Sequence, residues 1–135
     1  MSGIPAGYVT DPGFDPAEDH VGPFYYRKTE SGYQCAFIAG DRNCNVNGTV
    51  HGGILMTFAD FSLCLAASDH YQSESAITVS FNADFVAAAE SGSLIECTPR
   101  IVRKTGSMAF VDGDLRVGDE IVMTFSAVVK RLREK

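Results

Sequence analysis

The chain has 135 residues, 45% hydrophobic and 10% aromatic, a size and composition that suit one globular domain whose core needs no staple. Its net charge of −6 argues against nucleic acid or an anionic membrane surface as a partner. The four cysteines (Cys35, Cys44, Cys64, Cys97) show no C-x-x-C spacing, so buried free thiols are expected and a zinc site is not.

Residues 1–30 hold Pro5, Pro12, Pro16 and Pro23 among glycines and acids. The expectation is an irregular leader with a short helical turn near Pro16–His20, ahead of one domain over residues 31–135. Gly22 to Tyr26 is an apolar patch that belongs on the core or at an interface. A basic-then-apolar signal pattern is missing, and the expected location is cytoplasmic. Tyr33 to Ala39 alternates as a strand, and Gly40 to Gly48 reads as a polar loop.

The next stretch organises the chain. Ile54 to Ala67 is an apolar run of good helix formers broken by Asp60. At about fourteen residues it is shorter than the roughly 20 needed to span a bilayer, so it predicts a buried core helix. An unpaired carboxylate inside such a helix is costly, which gives Asp60 either a chemical task or a buried partner.

Ser75 to Val86 is the clearest strand, with Ile77, Val79, Phe81, Ala83 and Phe85 on one face. Strict alternation turns Thr78 to the opposite face, away from its own helix. Leu94 to Lys104 predicts a third strand with Pro99 at an edge or bulge. Met108 to Val117 predicts a fourth, interrupted near Asp112–Asp114, and Ile121 to Val129 a fifth, before a charged tail at 130–135. The short connections imply an α+β fold in which an antiparallel sheet wraps one long helix. One sheet cannot cover every side of that helix, so a second copy is expected to help.

His51-Gly52-Gly53, with Asp60 nine residues after the histidine, resembles the hotdog-fold thioesterases. The similarity is to the branch that includes phenylacetate-pathway thioesterases and thioesterase-superfamily member 2, and it covers roughly Tyr33 to Arg131. It implies a hotdog fold and hydrolysis of an acyl-CoA. It also implies site roles: the Gly52 N–H and Asn45 polarise the thioester carbonyl, His51 fixes the asparagine, and Asp60 attacks or activates water. Thr78 stands where a serine is more usual and assists the water. Arg103, Lys104 and Gly106 are the implied coenzyme A contacts, with Arg131 a weaker one. A homodimer is the implied minimal unit and a homotetramer the implied assembly. Neither metal nor organic cofactor is implied, coenzyme A being part of the substrate.

The residues themselves fit that chemistry. A helix opening at Gly52 offers free N–H groups and its positive dipole end, and glycine lets a carbonyl come close. At that position a neutral His51 suits an orienting role or an N-cap. Asn47 could replace Asn45 as the polarising group, or serve as a turn residue before Gly48. His20 and His70 have no matching context and read as structural or solvated. Gly52 and Asp60 lie ~12 Å apart along one helix, so they cannot act on one carbonyl unless two chains share each site. Two other readings remain: a hydratase or dehydratase, which would want a histidine and an acid facing one carbon, and a non-catalytic acyl-CoA-binding module.

Overall fold

The computed structural model describes residues 3–133. In chain order it has α1 (Pro16–Val21), β1 (Tyr25–Thr29), β2 (Gly32–Ile38), a 3-10 turn (Asp41–Asn43), α2 (Gly52–Ala67), β3 (Glu74–Phe85), β4 (Leu94–Cys97), β5 (Arg100–Lys104), β6 (Met108–Val117) and β7 (Glu120–Arg133). The strands form one antiparallel sheet in the order β1-β2-β4-β6-β7-β3, with β5 also beside β6. Helix α2 packs against β2, β3, β5, β6 and β7, which is the sheet-around-helix arrangement the short connections predict.

His51 caps α2: its Nδ1 accepts the Gly53 N–H at 2.9 Å. Leu55, Phe58, Ala59, Ser62, Leu63, Ala66 and Ala67 face the core, joined there by Phe37, Ile95, Val111, Leu115 and Met123. Gly53, Met56, Thr57 and Asp60, spaced as one helical stripe, are left half-buried or exposed at the margin of the sheet, where β3 touches only part of the stripe. After Ser68 the chain reverses through Asp69, His70 and Tyr71, three consecutive non-glycine residues in left-handed conformation at φ 49°, 58° and 57°. Such a turn persists only where side chains over-determine it. Tyr33 donates to Asp69 at 2.7 Å, Lys28 pairs with Asp69 at 2.8 Å, and the His70 ring lies 2.9 Å from both Tyr26 and Asp11.

Four expectations are corrected here. The helical turn expected near Pro16–His20 is present as α1, capped by Asp15 with Pro16 at its first position, but the end of the leader is not irregular: β1 forms a hairpin with β2 that buries Tyr26. The expected third strand is two, β4 and β5, broken at Thr98-Pro99. β6 runs unbroken through Asp112–Asp114, because Gly113 tucks against the Phe125 ring. β7 continues to Arg133, its charged end still paired in the ladder with Glu74 to Ile77.

β3 holds a further correction. Its register against β7 slips between Thr78 and Ser80, so Val79 is an extra residue in a bulge. Beyond the bulge Phe81 and Ala83 face the core as expected; before it the parity is inverted, and Ala76 faces inward. Ile77 and Val79 are turned outward, 51% and 53% exposed, on an edge strand whose outer side pairs with nothing among the described residues.

Candidate active site

The bulge brings Thr78 onto its own helix, contrary to the alternation expected. Its hydroxyl donates to Asp60 Oδ1 at 2.5 Å. The Cys64 thiol, one turn along α2, lies 3.8 Å from the same oxygen and 3.4 Å from the Thr78 hydroxyl. Burial, with the Asp60 charge behind it, pushes this thiol up to about 12, so it stays protonated and serves as a neighbour rather than a nucleophile. Asp60 Oδ2 has no hydrogen-bond donor among the described residues and opens on the partly covered stripe of α2. A carboxylate fixed through one oxygen and free at the other is poised to act as nucleophile or base.

A second group of polar atoms gathers at the start of α2. The loop from Asn43 to Gly52 folds back on itself: His51 N–H donates to Asn43 O, and Cys44 bridges Val50. Asn45 Oδ1 accepts from the Asn47 N–H at 2.9 Å and from the Thr49 N–H and hydroxyl at 3.3 and 3.2 Å. These bonds fix the amide orientation and leave the Asn45 NH2 as a donor without a partner among the described residues. The Gly52 N–H likewise has no acceptor there. A side chain at Gly52 would meet the Phe85 ring at 3.1 Å, and Phe85, Gly52, Val50 and Leu55 line a cleft of about 320 Å³. Asn47 donates through its backbone to Asn45 and is a turn residue.

The structure therefore joins Asp60 to Thr78 and places Asn45, His51 and Gly52 around one helix start, but it does not bring the two groups together within one chain. Nor does it link His51 to Asn45; the His51 ring is engaged with Gly53.

The basic residues divide in the same way. Lys104 lines a groove of about 600 Å³ with Lys28 and Arg100, beside Asp69 at the end of α2. Lys28 pairs with Asp69 and Arg100 with Asp112, while Lys104 has no ion pair among the described residues. Arg103 does not line this groove, and the Gly106 carbonyl accepts from Arg133. Arg131 is a structural residue, held by Glu74 at 2.8 Å and by the Thr105 carbonyl at 2.6 Å. Lys28 was not singled out in the sequence, since only the β1–β2 hairpin brings it to the groove. No cluster of three or more metal-ligating side chains occurs among the described residues, and no helix there is long and apolar enough to cross a membrane.

Known proteins share this frame. The family model described as "Thioesterase superfamily" matches residues 47–124, which include His51, Gly52, Asp60 and Thr78. A curated protein of Pseudomonas aeruginosa, named "Putative esterase PA0474", is 31% identical over 130 residues, covering 95% of this chain and 97% of its own. The E. coli PaaI protein from the phenylacetic acid degradation operon superposes with a TM-score of 0.79 at 16% identity, over 88% of this chain and 86% of that one. The BH2602 protein of Bacillus halodurans, solved with CoA, superposes with a TM-score of 0.78 at 18% identity, over 93% and 83%. By the family model and the Pseudomonas relative together, this chain is a member of the thioesterase superfamily with the hotdog fold.

Proposed function

We propose that the protein hydrolyses an acyl-CoA, with a short, medium-chain or aromatic acyl group, to the free acid and coenzyme A. The observation that carries this reading is Asp60: a carboxylate held by Thr78 through one oxygen, with the other free on a partly covered helix stripe. The Gly52 N–H and the Asn45 NH2 bind the thioester oxygen as negative charge develops on it. Asp60 of a second copy either takes the proton of a water that attacks the carbonyl carbon, or attacks that carbon itself to form a mixed anhydride, which water hydrolyses to the acid once coenzyme A has left. The C–S bond breaks and coenzyme A leaves as thiolate, to be protonated from solvent. Thr78 orients the carboxylate. Lys104, aided by Lys28 and Arg100, neutralises phosphate charge, while Arg103 and Gly106 stand at the rim of that contact.

The reading requires two chains, because the helix start and Asp60 of one chain are ~12 Å apart along the axis. The open edge of β3 and the partly covered stripe of α2 support a homodimer in which a second β3 continues the sheet. A homotetramer of such dimers, working in the cytoplasm without metal or organic cofactor, completes the proposal. The Bacillus protein solved with CoA supports the ligand class. The test is a panel of acyl-CoAs assayed with a thiol-detecting reagent. Release of free thiol with at least one acyl-CoA is expected. Binding without release would make the protein an acyl-CoA-binding module, and addition of water without release would make it a hydratase.

A further inference from the structure

Cys64 takes no part in the reaction steps, yet it completes the polar cluster around Asp60. Its thiol lies 3.4 Å from the Thr78 hydroxyl and 3.8 Å from Asp60 Oδ1, while the hydroxyl lies 2.5 Å from that same carboxylate oxygen. The three groups come from two elements: Asp60 and Cys64 from successive turns of α2, Thr78 from β3 just before the bulge. Cys64 is only 7% exposed, and its sulfur has no other hydrogen-bond partner among the described residues.

The protons of this cluster can be counted. The carboxylate brings none, the hydroxyl one and the thiol one. Burial and the Asp60 charge push the thiol up to about 12, so its proton stays on at neutral pH. A threonine hydroxyl rotates about its Cβ–Oγ bond and offers two lone pairs. Turned toward the sulfur, it would set a lone pair against the carboxylate at 2.5 Å and leave Oδ1 with only the more distant thiol as donor. Turned toward Asp60, it leaves a lone pair for the thiol at 3.4 Å. Both protons then run one way, from sulfur to hydroxyl to carboxylate, and each bond strengthens the next.

Resting on the thioesterase reading above, we propose that Cys64 is a positioning residue for the hydrolysis: its S–H holds the Thr78 hydroxyl in the orientation that donates to Asp60 Oδ1, and thereby keeps Oδ2 as the oxygen that faces the thioester. Cys64 acts through Thr78, not on the substrate. Without the thiol the hydroxyl samples other orientations and the carboxylate turns about its last side-chain bond. A smaller share of molecules then presents the free oxygen in line for reaction. The loss falls on the chemical step and not on binding.

The test measures kcat and KM, with the acyl-CoA that wild type hydrolyses fastest, in Cys64→Ala, Thr78→Val and the double variant. Thr78→Val keeps the shape of threonine without its hydroxyl. In the otherwise wild-type chain Cys64→Ala is expected to lower kcat about 3- to 10-fold, the effect of one neutral hydrogen bond, with KM within about twofold. In the Thr78→Val background the same change should alter kcat by less than about twofold, because no hydroxyl is left to orient. Difference infrared spectra of wild type against Cys64→Ala isolate the S–H stretch of this thiol. Thr78→Val, measured against the double variant, should shift that band. Thermal melts identify any variant that fails to fold, and Cys64→Val or Thr78→Ala then takes its place. An unchanged kcat in Cys64→Ala, an equal loss in both backgrounds, or an S–H band unmoved by Thr78→Val overturns the proposal while leaving the thioesterase reading intact. Absence of hydrolysis of every acyl-CoA by wild type overturns both.

Discussion

Asp60 spends one oxygen on Thr78 and keeps the other. Asp60→Asn preserves the shape of that contact and removes the charge, so kcat should fall by at least ~10³ with little change in KM or in melting temperature. Retention of more than a tenth of wild-type kcat would make Asp60 a structural residue. Thr78→Ala removes only the clamp, and the expected loss stays within about 10²-fold. Asn45 poses the complementary case: its oxygen is occupied three times by its own loop, which is what aims its NH2 outward. The helix acid and the loop asparagine were legible in the sequence because their chemistry is local: a charge in an apolar run, and donors ahead of a glycine helix start. Lys28 is not, because only the β1–β2 hairpin brings it to the groove beside Asp69.

At the scale of elements, the hydrophobic pattern found every long segment but not its orientation. In β3 the alternating residues are real, yet the bulge at Val79 inverts the first half, and nothing in side-chain chemistry announces it. In the leader the helical turn at Pro16 is legible, because a helix start is where proline is tolerated, whereas β1 is not, because Tyr25 to Thr29 has no alternation of its own. The charged end of β7 looked like a tail because its charges were visible and its backbone pairing was not. That end is fastened by Arg131, whose guanidinium binds Glu74 at 2.8 and 3.2 Å, with side chains only 12% and 9% exposed. Arg131→Met strands the Glu74 carboxylate and should cost about 3–5 kcal/mol in urea unfolding. The double variant Arg131→Met/Glu74→Leu should recover most of that loss, and failure to recover would show that the Thr105 contact, rather than the pair, carries the stability.

For the whole molecule, the division of polar groups between the start of α2 and its middle predicts complementation. Asp60→Asn and Asn45→Ala, each inactive or nearly so alone, should give mixed dimers with one intact and one doubly damaged site. Co-expression should then restore about a quarter of wild-type activity. If mixed dimers form and activity stays at the level of the parents, each site lies within one chain. The same assembly gives the bulge a meaning beyond local geometry. Because Val79 is the odd residue, Thr78 serves the interior while Ile77 and Val79 look outward toward any second copy. Were the same sequence paired without the bulge, Val79 would stand opposite Val129 in the place of Thr78, presenting valine to Asp60 and the Thr78 hydroxyl to the neighbour. The bulge, more than the identity of any side chain, is therefore where catalysis and assembly are jointly encoded: the same residues paired in strict alternation would keep their hydrophobic content while losing both.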